Sequence, residues 1–82
     1  MNKKKLKLAR NKIDKIDKSI FYLIKKRTRL VNHMMTLKEF KNQIVDKKRI
    51  REILNSIRKK SIQNKIDPKI TIKIWKSMIW SY

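Results

Sequence analysis

The sequence has no cysteine and no glycine, one proline, one histidine and only 6 acidic residues. Each shortage removes a class of chemistry. Without cysteine there is neither a disulfide nor a thiolate metal site, and His33 by itself supplies no metal cluster. Without glycine there is no glycine-rich loop to cradle a phosphate. No Ser/His/Asp or Cys/His set offers itself for nucleophilic catalysis. No uncharged apolar run reaches the ~18 residues of a membrane span. The basic opening MNKKKLKLARNK is followed by no apolar stretch, so a signal peptide is not expected. A reducing, cytoplasmic setting is the expectation, with no cofactor and no metal.

What the chain holds in excess is positive charge: 25 Lys and Arg give a formal net charge of +19. Clustered cations gain affinity for phosphates by releasing counterions, so nucleic-acid binding is one reading. The composition offers another. There are 19 lysines to 6 arginines, with 14 isoleucines and 6 asparagines. Lys, Ile and Asn belong to A/T-rich codons, and an A/T-biased genome gives this profile to proteins of any function. The cations are spread along the whole chain instead of being gathered in one block. Charge alone does not decide.

At 82 residues the chain is one domain at most. Residues 1–8 read as a short basic tail or a frayed helix start. From about Ala9 to about Glu39 there is no helix breaker, and apolar residues step by 3 and 4: Ile13, Ile16, Ile20, Leu23, then Leu30, Met34, Leu37. That spacing marks a long helix packed along its length against other helices. Asp14 and Asp17 sit near its N-terminal side, where negative charge suits the helix dipole. Thirty or more residues make a rod of roughly 45–50 Å. A compact chain of this size has a radius of gyration of only about 12 Å. The remaining residues cannot cover both ends of the rod, so the expectation is an obligate homodimer of paired long helices.

The periodicity lapses over Lys41–Val45, the expected first connection. Asp46 then caps a second helix, roughly Lys47–Gln63, with an apolar stripe of Ile50, Ile53, Leu54 and Ile57. Asp67-Pro68 pairs a capping residue with proline at the first helical position and starts a third helix. Its apolar side is expected to carry Ile70, Ile74, Trp75, Met78 and Ile79. No stretch alternates well enough for a sheet. The expected fold class is all-α, three helices with the first the longest.

The seam of the long helix has one exception, Arg27, which occupies a position that calls for an aliphatic residue. A buried charge costs several kcal/mol unless it is paired, so Arg27 is the first candidate for binding a small anion. Lys38, eleven residues on, lies within ~20° of the same face and ~16 Å along the axis. Both side chains could reach a ligand between them. Arg10 lies ~25 Å down the helix from Arg27 and ~100° around it. It cannot share a small site with Arg27 in one chain, but could do so across an antiparallel dimer. Asp46 and Arg49 form a further polar group at the start of the second helix, where backbone N–H groups are free to bind. Simpler roles exist for four of these: Arg10, Arg49 and Lys38 as solvated cations, Asp46 as a cap. Only for Arg27 is the surface role awkward. Trp75 and Trp80 read as packing anchors.

Taken in order, Arg10, Ile13-Asp14, Ile16-Asp17, Arg27, Leu30-Val31, Lys38, Val45-Asp46, Arg49, Asp67-Pro68, Ile74-Trp75 and Met78-Ile79 form a pattern that resembles the all-helical chorismate mutases. The likeness runs from about residue 8 to the end. It implies an intertwined dimer with two sites, each with an arginine from the other chain. It also implies conversion of chorismate to prephenate in phenylalanine and tyrosine synthesis. By the resemblance, Arg10 from the partner and Arg27 clamp the carboxylates, Lys38 donates to the ether oxygen, Arg49 supports a carboxylate, and the backbone at Asp46 meets the ring hydroxyl.

The chain departs from the family at three places. Ile50 stands where a glutamate usually accepts the ring hydroxyl, and Glu52 is displaced from that position. Tyr82 stands where a small polar residue is common. The sequence stops about four residues short of a glutamine that normally joins the lysine. These departures leave open a weakened enzyme or a piece of a longer protein. Two other functions stay open on the sequence: a basic nucleic-acid-binding helical protein, and an isochorismate pyruvate-lyase on the same scaffold.

Overall fold

The structure, a computed structural model, describes residues 2–37 and 46–81. Among them are three helices, α1 (Lys3–Leu37), α2 (Lys47–Gln63) and α3 (Pro68–Trp80), and no strand. The chain divides into two units, Met1–Glu39 and Phe40–Tyr82. The connection expected over Lys41–Val45 and the candidate Lys38 lie outside the described residues.

In the first unit, α1 runs for 35 residues, or ~52 Å of axis. It begins six residues before Ala9, where the apolar stepping starts. The reason is a cap that periodicity does not reveal. The Asn2 Oδ1 accepts from the backbone N–H of Lys4 at 3.0 Å and of Lys5 at 3.2 Å, satisfying two of the amides a helix start leaves open. Lysine is a good helix former, so the run behind the cap stays helical. Asp14 and Asp17 therefore sit well inside α1, beyond the first turn where the dipole acts, and the helix has no acid in that turn. The Lys26 ammonium lies 5.0 Å from the centre of the Tyr22 ring, one turn before it. The seven aliphatic seam residues are all exposed, between 45% and 68%. The half-buried side chains of α1 are Leu6, Arg27, Thr28, Val31 and Met35.

In the second unit, α2 and α3 form a helical hairpin and pack on each other. The Asp46 Oδ1 caps α2 by accepting from the Arg49 N–H at 3.0 Å. The Asp67 Oδ1 caps α3 by accepting from Lys69 N–H at 2.9 Å, with Pro68 at the first helical position. Between the helices the Ile66 N–H donates to Ser61 O at 2.9 Å and the Lys65 N–H to Ile62 O at 3.3 Å. This pair of bonds is a Schellman closure, which requires a left-handed residue just past the helix end. In a chain without glycine that residue is Lys65, at φ 57°.

Ile50, Ile53, Leu54 and Ile57 are half-buried, as their spacing implies, and one turn on the stripe ends in Ser61, 3% exposed. On α3 the covered side matches the expected one at Trp75, Met78 and Ile79 and differs at Ile70 and Ile74. Thr71, Ile72, Trp75, Met78 and Ile79 are half-buried, whereas Ile70 and Ile74 are 58% and 46% exposed. Apolar residues cover more than half of the circumference of α3, and a single helix packed beside it covers only part of that arc. No hydrophobic side chain among the described residues is fully buried. No helix among them is long and apolar enough to cross a membrane.

Candidate anion-binding site

Among the described candidates, Arg27 is the one whose surroundings differ from those of a solvated cation. It sits on the seam of α1 between Leu23 and Leu30, each a turn away, and is half-buried. Its Nη1 is buried and has no hydrogen-bond partner. A charged donor taken out of water without an acceptor costs more than a neutral one, about 1–3 kcal/mol and upward. The cost disappears when an acceptor arrives. A guanidinium presents parallel N–H groups in a fixed plane, so the matching ligand is a carboxylate or phosphate held in bidentate fashion.

Arg10 is exposed on the first half of α1. Seventeen residues separate it from Arg27, so the two are ~25 Å apart along the axis and on different faces. The helix does not bring them together. Asp46 and Arg49 do meet, though through the backbone: the carboxylate of Asp46 is committed to the Arg49 amide, and both side chains are exposed. Capping leaves the N–H groups of Lys47 and Lys48 at the helix mouth without an intrahelical acceptor, as at any helix start. Ile50 is half-buried at the head of the α2 stripe, while Glu52 is exposed two residues on, on the far side of the helix.

Sequence reasoning missed one polar feature. The Ser61 hydroxyl donates to Ile57 O at 2.6 Å and lies 2.6 Å from the Thr71 hydroxyl, which is 3.4 Å from Pro68 O. With Ser61 giving its proton to Ile57 O, the Thr71 proton closes the pair. Ser61 continues the Ile53, Ile57 stepping by one more turn, which was the available signal. The pair joins α2 to α3 and has no hydrogen left for a ligand. A shallow concavity of ≈ 420 Å³ along α1, lined by Leu8, Asn11, Lys12, Asp14, Lys15 and Lys18, contains none of the candidate residues. Among the described residues no group of three or more His, Cys, Asp or Glu comes together.

The residue pattern of the family described as Chorismate mutase type II matches this chain over residues 9–81. No curated protein and no solved structure matches it.

Proposed function

The chain belongs to the chorismate mutase type II family, and on that premise we propose that it rearranges chorismate to prephenate within aromatic amino-acid synthesis in the cytoplasm. The observation that carries this reading is the sealed, partnerless Nη1 of Arg27 on an otherwise aliphatic seam. Chorismate brings two carboxylates, and Arg27 is built to receive one.

The reaction is an intramolecular pericyclic shift that breaks a C–O bond as a C–C bond forms. It needs no nucleophile and no base, which suits a chain with one histidine and no cysteine. Two contributions are left to the protein. Holding the folded conformer of the substrate converts binding energy into orientation. A preplaced cation stabilises the negative charge that grows on the ether oxygen. Arg27 and the Arg10 of a second copy hold the carboxylates, Lys38 donates to the ether oxygen, Arg49 supports a carboxylate, and the α2 start at Asp46 meets the ring hydroxyl. With Ile50 in place of an acceptor, the hydroxyl end of the ring is held less firmly.

The second copy is part of the proposal. The seven aliphatic seam residues of α1 stand open to solvent, and the ~25 Å between Arg10 and Arg27 closes only if two α1 helices lie side by side in opposite directions. A direct assay of chorismate loss and prephenate formation tests the reading. Arg27→Ala is expected to lower kcat/KM by about 10²–10³, the scale of one lost charge-stabilising donor. Equal inactivity of both proteins, with neither binding a transition-state mimic, would overturn it. Isochorismate offered in parallel separates the mutase from a lyase on the same scaffold.

A further inference from the structure

The side of α1 away from its apolar seam carries a second pattern. Lys4, Lys7, Asn11, Lys15, Lys18, Tyr22, Lys25 and Arg29 succeed one another by steps of 3 and 4, and every one is exposed. At 100° per residue they fall within ~40° of a single line that runs almost opposite the seam. The six cations on it are spread over ~37 Å of straight helix. The only acids of α1, Asp14 and Asp17, fall ~60° and ~120° away from that line. Sequence composition gave no hint of this order, because the lysines are scattered when read along the chain. They become a row once the helix is known to run unbroken from Lys3 to Leu37.

We infer that this row is a docking surface for the sugar–phosphate backbone of a nucleic-acid duplex, bound without regard to base sequence. The six like charges, on average ~7.5 Å apart along the axis, repel one another and are best relieved by a long, densely charged polyanion. A duplex carries one phosphate per ~1.7 Å of axis and releases counterions when cations replace them. Five of the six cations are lysines, which serve as point charges for phosphate and lack the fork that reads guanine. Tyr22, in the second half of the row, keeps Lys26 drawn over its ring. An anionic membrane is the weaker match. A helix lying in a membrane surface buries its apolar face, and here that face has the Arg27 guanidinium on its midline. The row also stays open to solvent when a second helix covers the seam, so docking and the proposed catalysis do not compete.

The test is binding of the full chain to a mixed-sequence DNA duplex of about 20 base pairs, twice the ~11 that ~37 Å spans at 3.4 Å per step. The affinity is measured across a salt series. Six phosphate contacts predict a log–log salt slope near −5, or roughly a 10³-fold loss of affinity between 50 and 200 mM salt. Replacing Lys7, Lys15 and Lys18 together by Gln is expected to cut the slope by about 3. The same number of charges removed from the other unit, at Lys48, Lys59 and Lys73, is expected to leave it within about 1. Glutamine keeps helix propensity, and a Lys→Arg triple at 7, 15 and 18 must keep the slope, which separates lost charge from lost fold. Equal effects of the two Gln triples would overturn the assignment. So would a slope shallower than about −2, or tighter binding to phosphatidylserine vesicles than to the duplex.

Discussion

Arg27 concentrates the functional argument in one side chain. A seam position filled by arginine is costly in an empty helix pair and useful in a liganded one, because the same N–H groups that lack an acceptor become a preformed fork. The charge and the fork make separable contributions. Arg27→Lys retains the first and loses the second, so kcat/KM should fall by on the order of tenfold, about 1.4 kcal/mol, against the larger loss of Arg27→Ala. Steady-state kinetics on the two variants orders them. If Lys does as badly as Ala, geometry outweighs charge; if it matches wild type, the bidentate contact is absent. Lys65 makes a different point. Its left-handed backbone costs roughly 1–2 kcal/mol where glycine would cost none. Lys65→Gly should therefore stabilise the fold by about 1 kcal/mol after the extra entropy glycine gains on unfolding. A urea midpoint shifted upward at constant m value is the expected result.

At the scale of elements, the three helices were legible wherever a local chemical signal marked them. Asp46 and Asp67-Pro68 marked the starts of α2 and α3, and both carboxylates accept backbone N–H groups of the first turn, those of Arg49 and Lys69. The start of α1 was not legible from apolar stepping, because its first turns are lysines behind an asparagine cap. The inward side of α3 was read incorrectly at Ile70 and Ile74 for a physical reason: two neighbouring arcs are apolar, and periodicity does not say which one α2 will cover. The Ser61–Thr71 hydroxyl pair helps to choose. It is the described contact that puts a buried polar group of α2 against a specific turn of α3. Ser61→Ala leaves Thr71 with only its long bond to Pro68 O, and should cost about 1 kcal/mol in thermal or urea unfolding.

At the scale of the molecule, the described side chains include no closed apolar core. Small chains without disulfides or metals commonly obtain one by association. If the α1 seam pairs with a second copy, folding and association are one equilibrium, and the unfolding midpoint must rise with protein concentration. Leu23→Asp places a charge among the exposed aliphatic residues beside Arg27. It should yield a monomer in sedimentation, with reduced helicity and no prephenate formation. A wild-type midpoint independent of concentration, together with a monomer mass, would remove both the dimer and a shared site with Arg10.

By itself the sequence determined the helical class, the caps of α2 and α3, the apolar seam of α1 with its single cation, and the family. These are local matters: each is written in residues within one or two turns of one another, where hydrogen bonding and 3.6-residue spacing act. The tertiary structure alone decided which arc of α3 is covered, that Ser61 is the most buried of the described side chains, and that the Arg27 Nη1 is sealed without an acceptor. Burial depends on what remote parts of the chain exclude from water, and no spacing rule reads that from the residues themselves.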